Sequence, residues 1–262
     1  AVSVAGQLGV VSGTAINSVM IRRLQMGDIG GHTRSALAHF VTQYPGVEST
    51  ELVEKILQMY FVEGGIAKDI PFKRSPMFQI KSSDFLLRLT ALSTYVEIYL
   101  AKEGHDGVVG LNLLEKVQTP NLACLYGALL AGVDYVIMGA GIPREIPGAL
   151  DLLSQHQSAS LKIHVVGSTE DHLSYFHPQE LFPQALIHTL KRPYFFPIVS
   201  SAVLAANLKK KSTGVVDGFI VETAKAGGHN APPRGPMQLS DLGEPIYGVR
   251  DNVDMADMKA LE

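Results

Sequence analysis

The chain has 262 residues, 46% of them hydrophobic and 18% charged, against roughly 25% charged in average usage, which excludes a disordered segment and leaves room for one large domain or two small ones. Twenty-two Lys+Arg against 25 Asp+Glu give a net charge of −3, so no basic surplus exists to neutralise a nucleic-acid backbone. One cysteine, Cys124, excludes an internal disulfide and a cysteine-built metal cage, and a cytoplasmic enzyme is the natural reading.

Short apolar runs recur along the chain, bounded by Gly or Asp: Leu8–Ser12, Gly107–Leu111, Asp134–Met138, Leu161–Val166, Tyr194–Val199 and Asp217–Val221. Each is apolar nearly throughout rather than alternating, the mark of a parallel strand covered on both faces. Between the first two, Arg34–Val41, Ser49–Phe61 and Ser83–Ala101 carry apolar residues at three- and four-residue spacing and predict helices. Gly64-Gly65 and Pro71–Met77 mark a loop among them, and Gly30-Gly31-His32 reads as a turn and N-terminal cap. This is too much chain for one barrel crossover, so residues 42–100 read as a helical excursion, open to being a lid, a dimer surface or both.

Leu122–Ile142 imitates a membrane span, being 21 residues with Asp134 as its single charge. Its grain argues for a buried helix over Leu122–Ala131, a stop at Gly132-Val133 and a strand from Asp134, so neither a membrane partner nor a signal peptide is expected. Leu161–Val166 sits between polar, His-containing segments and reads as an insertion outside the main sheet. His172 and His177, in one of those segments, are expected to face solvent.

Three strand approaches are alike, ending in Asp106, Asp134 and Asp217 after a Gly-containing turn. The far strand ends are small or polar: Ser12-Gly13, Asn112, Gly139-Ala140-Gly141, Ser200-Ser201 and Glu222-Thr223. That asymmetry suits a (β/α)8 TIM barrel, whose chemistry sits at the carboxyl ends of its strands, with an open doubly wound sheet as the other reading. Five barrel strands remain once the insertion is set aside, where closure needs eight. The chain is therefore expected to be a fragment of a longer barrel.

Asp217–Pro236 reads DGFIVETAKAGGHNAPPRGP. Adjacent glycines, Gly227 and Gly228, let backbone N–H groups approach a ligand, and His229 beyond them can move a proton at neutral pH. VETAKAGGH resembles the sixth-strand motif of the FMN-dependent nitronate monooxygenase (2-nitropropane dioxygenase) family, related to the flavin-dependent enoyl-acyl-carrier-protein reductases. LGVVSG at 8–13, GLN at 110–112 and MGAGIP at 138–143 resemble that family's second, third and fourth strands. The resemblance covers most of the chain, residues 42–100 and 151–190 being particular to a subgroup.

The resemblance implies an FMN-binding (β/α)8 barrel whose first strand and last two lie outside this chain. It implies a flavin-dependent oxidoreductase in which a nitronate, a small-molecule substrate, gives an electron to FMN and dioxygen completes denitrification to a carbonyl compound and nitrite. It matches His229 to the active-site base, and Gly227 and Gly228 to glycines against the flavin. Asn112 and Glu222 match polar positions near its ring or ribityl chain, and Gly13 and Gly139 match pocket-lining strand ends. Lys225 departs from the family's common acidic residue. No metal is implied, and a homo-oligomer stays open. Two other readings stand beside this one: an enoyl-thioester reductase using NAD(P)H, and a non-catalytic barrel fragment.

Taken residue by residue, Asn112 is alternatively a satisfied strand-end cap, and Glu222 a partner for a nearby Lys or Arg. Arg234, in Pro232-Pro233-Arg234-Gly235, reads as a solvated loop charge rather than a lid arginine. Cys124, in an apolar helix, reads as a core residue rather than a nucleophile.

Overall fold

The structure, a computed structural model, describes residues 1–223, 225–226 and 231–261. Strand β1 (Gly9–Ser12) is followed by four helices, α1 (Ile16–Gln25), α2 (His32–Gln43), α3 (Val47–Tyr60) and α4 (Asp84–Lys102). Then come β2 (Val109–Leu114), α5 (Asn121–Leu130), β3 (Tyr135–Gly139) and α6 (Ile146–Ser154). A hairpin of β4 (Ala159–Ile163) and β5 (His172–Phe176) precedes a single turn, α7 (Pro178–Leu181). The chain continues through β6 (Tyr194–Val199), α8 (Ala202–Lys211), β7 (Ile220–Val221) and a final short helix, α9 (Met255–Lys259).

The five apolar runs assigned to a main sheet form one: β1-β2-β3-β6-β7, parallel throughout and in chain order. The sheet curls as part of a barrel would. Because every pair is parallel, all five carboxyl ends emerge on one side. The β4–β5 hairpin is antiparallel and joins no strand of that sheet, as expected of an insertion.

Boundaries differ from the sequence reading in instructive ways. Strand β2 begins at Val109 and runs on to Leu114, because Leu113 and Leu114 still pair with Met138 and Gly139. Asn112 therefore lies inside the strand rather than at its end, opposite Ser12 and Ile137. Strand β7 is only Ile220–Val221. The segment read as polar excursion contains β5, whose HLSYF alternates, turning Ser174 and Phe176 inward. His172 and His177 are consequently half-buried rather than solvent-facing. Their rings meet Ser168 Oγ and Ser158 Oγ at 2.8 Å, and His177 stacks on Tyr175.

Helix α5 is buried on every face, packed against α4, α6 and the hairpin, which explains its nearly uniform apolar composition. Among the described residues no helix is long and apolar enough to cross a membrane. Behind it Phe40, Tyr44, Tyr95, Tyr126, Phe176 and Phe182 form an aromatic cluster with ring centroids 5.1–6.4 Å apart. The buried phenols in it find partners: Tyr44 donates to the Leu130 carbonyl at 2.6 Å, and Tyr126 meets His156 Nδ1 at 2.8 Å. His156 Nε2 donates to the His188 carbonyl at 2.7 Å. A carbonyl only accepts, so the ring proton sits at Nε2, and in that tautomer Nδ1 accepts from the Tyr126 hydroxyl.

The aspartates that lead into strands act on the neighbouring strand. Asp134 Oδ2 accepts from Val109 N at 2.9 Å and from Lys102 Nζ at 2.6 Å. Asp217 Oδ2 accepts from Phe195 N at 2.8 Å and Arg192 Nη1 at 2.7 Å, and Arg192 Nε reaches Asp151 Oδ1 at 2.5 Å. Asp106 breaks the analogy. It makes no hydrogen bond among the described residues, and His105 Nδ1 accepts from Gly107 N instead.

Candidate functional site

A cavity of about 530 Å³ opens at the carboxyl ends of β2, β3, β6 and β7. It brings together three of the residues singled out from the sequence, Asn112, Gly139 and Glu222, with Ser200 and Lys116 at its edge. Two others, Ala231 and Pro232, come from the Pro-rich segment that follows β7. The fold explains the convergence: parallel strands in register aim equivalent ends at one place.

Asn112 Oδ1 is buried and has no hydrogen-bond partner among the described residues. This sets aside the reading of Asn112 as a satisfied cap. An orphaned amide oxygen costs about 1–3 kcal/mol, so it is a group awaiting a donor. Glu222 is half-buried and held at both ends, its N donating to the Val199 carbonyl at 2.9 Å and its Oε2 accepting from Ala231 N at 3.3 Å. No Lys or Arg pairs with it among the described residues.

Gly139 lines the cavity with backbone, and a Cβ there would come within 2.9 Å of Ile198 Cδ1 on β6. Its glycine is thus explained by close packing against Ile198, which lines the same cavity. Gly13 goes elsewhere. Its N donates to the Asn112 carbonyl at 2.8 Å, but it lines a separate cleft, and a Cβ would lie 2.4 Å from Leu113 Cδ2. Gly227, Gly228 and His229 lie outside the described residues.

The segment after β7 is fastened over the strand ends by its own contacts. Tyr247 donates its hydroxyl to the Ala231 carbonyl at 3.0 Å, while Asp251 accepts from Arg234 N at 2.8 Å and Gly248 N at 2.7 Å. Those two backbone donors hold the Asp251 carboxyl below its ordinary value. Arg234 is exposed, as read from the sequence, yet its guanidinium reaches the Ser200 carbonyl at 3.4 Å.

Beyond β2, burial raises the Glu115 carboxyl; His164 acts against that rise and Glu145 adds to it. Cys124 is fully buried and its thiol is pushed up to about 12 by that burial, which suits a core residue and not a nucleophile. Sequence reasoning missed Lys116 and the small-molecule-sized cleft beside Gly13. Lys116 could have been found as the first cation after the β2 run; the cleft is assembled from segments about fifty residues apart and leaves no local pattern.

A flavin is a planar group with ring N–H and carbonyl edges, so a site for it needs a slot bounded by backbone and a few fixed polar groups. The residues present fit that need: the cavity volume lies within the ~300–1,000 Å³ of small-molecule sites, and Asn112 Oδ1 is an unfilled acceptor. Compared with protein-family models, curated proteins and solved structures, the chain matches none.

Proposed function

We propose that this chain carries the flavin site of a cytoplasmic FMN-dependent oxidoreductase of the nitronate monooxygenase type, its five strands being consecutive strands of a (β/α)8 barrel. The observation that carries the reading is the single cavity shared by Asn112, Gly139 and Glu222, with its unpartnered Asn112 Oδ1. Sequential all-parallel strand order supports the barrel assignment.

Asn112 and the backbone at Gly139 would hold the ring system, and Glu222 the polar edge or ribityl chain. FMN, when bound, supplies the electron-accepting centre, with dioxygen as the final acceptor. The protein's share is positioning, exclusion of water and proton movement. The Pro-rich segment contributes the second of these, since Ala231 and Pro232 roof the cavity. His229 falls in sequence between Glu222 and Ala231, two residues that line it, and is assigned the proton at the α-carbon of a neutral nitroalkane.

The test is the visible spectrum of the purified chain before and after FMN addition and desalting. A retained flavin band supports the reading, and a protein that stays colourless opposes it. Turnover of nitronates with dioxygen is then expected. Turnover of enoyl-thioesters with NAD(P)H, and none of nitronates, would transfer the site to the reductase reading.

A further inference from the structure

Beside the cavity, on the same side of the sheet, lies a cleft of about 740 Å³ between α1 and the loop at residues 71–78. The loop is pinned to the helix at two points. Buried Gln25 clamps the backbone of Lys73, accepting from its N at 2.7 Å and donating Nε2 to its carbonyl at 3.0 Å. Asn17 Nδ2 donates to Ser75 Oγ at 3.1 Å. The cleft is therefore a held shape and not a gap under a loose loop.

Its walls are mainly apolar, built by Ile16, Ile21, Phe72, Phe78 and Val117, with Thr14, Ser18 and Thr119 adding hydroxyl groups. Its charges are all of one sign: Arg22, Lys73 and Arg74 line it and no Asp or Glu does. Lys73 Nζ is turned away to the Met59 carbonyl, 3.3 Å off, and sits over the Tyr60 ring. Arg22 and Arg74 form no ion pair or side-chain hydrogen bond among the described residues. Arg22 instead lies over the Phe72 ring, 5.4 Å from its centroid, a contact that leaves its N–H edge available. Arg23, Arg34 and Arg192 each hold a carboxylate, whereas Arg144 and Arg234 bond an amide oxygen and a backbone carbonyl.

From the match of apolar walls with two uncommitted guanidinium groups, we infer that this cleft binds a monoanion with a straight apolar tail, such as a medium-chain carboxylate. A guanidinium presents parallel N–H donors that fit a planar two-oxygen anion, and the walls take up the hydrocarbon. The inference rests on the cleft and is independent of the flavin assignment.

Isothermal titration calorimetry on the whole chain, with decanoate below its micelle threshold, tests it. Decanoate is expected to bind, while acetate, which lacks the tail, and decyltrimethylammonium, which reverses the charge, bind at least about tenfold more weakly. The exposed pair changed together, Arg22→Gln with Arg74→Gln, is expected to lose at least about tenfold for decanoate at an unchanged melting temperature. Absence of decanoate binding, equal binding of the cationic amphiphile, or a double variant that binds decanoate as well as the parent would each overturn it.

Discussion

The two ends of the one parallel sheet treat their polar groups differently. At the amino ends, Asp134 and Asp217 each take a backbone N–H and a cation, and Arg192 spans two carboxylates and the Val215 carbonyl. At the carboxyl ends, Asn112 Oδ1 is buried without a partner, and Arg22 and Arg74 line an apolar cleft without a counter-ion. The first arrangement commits the carboxylates of Asp134 and Asp217 to the sheet, Asp106 being the exception. The second leaves the buried Asn112 oxygen unfilled, a cost that a bound donor would relieve, and two exposed guanidinium groups with no carboxylate beside them.

Substitutions at either end sharpen this contrast by moving one property and not the other. His229→Ala should lower turnover of a neutral nitroalkane by about 10²–10³-fold in steady-state assays while sparing preformed nitronate, whose proton is already gone. Equal losses on both substrates would remove His229 as the base. Asp217→Ala, at the opposite end, should cost about 2–3 kcal/mol in urea unfolding, since Phe195 N and Arg192 lose their acceptor in a half-buried setting. The folded fraction should keep the parent's FMN affinity.

Asp28→Ala should cost about 1–2 kcal/mol. Its carboxylate accepts from Thr33 N at 3.0 Å and Arg34 N at 2.9 Å, capping the first turn of α2. Burial alone would raise this carboxyl, but the Thr33 and Arg34 hydrogen bonds outweigh it and hold it below the ordinary 3.8. A depressed carboxylate stabilises the fold fully above its unfolded value and loses that contribution as pH falls through the lower folded one. The parent should therefore lose stability on acidification below about pH 4, and the variant should lose less over that window. Equal acid limbs would contradict the cap. The smallest effect is expected for Asn112→Leu, which should leave stability within about 0.5 kcal/mol of the parent or raise it, because the change removes an unsatisfied oxygen.

The amino-end half of this contrast was partly legible in the sequence. Apolar runs located every strand of the main sheet, since strands covered on both faces need no alternation, and Asp134 and Asp217 stood before theirs. Asp106 shows the limit, because an Asp before a strand acts only where a neighbouring N–H comes within reach. Strand β5 escaped notice since its inward residues, Ser174 and Phe176, share the run with polar His172 and exposed Tyr175. Toward the carboxyl ends, Gly139 and Glu222 were legible as small or polar strand ends, Asn112 was read as an end although it lies inside β2, and the fold brings the three to one cavity. Gly13 was assigned to the same place but lines the neighbouring cleft with the start of α1, and its missing Cβ makes room for Leu113. The cleft itself depends on the grip of Gln25 on Lys73, a contact across 48 residues that no local pattern announces.

The most direct test of the flavin site is a titration of FMN into the parent chain and Asn112→Leu, followed by quenching of flavin fluorescence. The parent is expected to bind, and the variant to bind at least about tenfold more weakly while melting no lower. Identical affinities, or a parent that leaves the flavin signal unchanged, would contradict the assignment of the strand-end cavity to FMN.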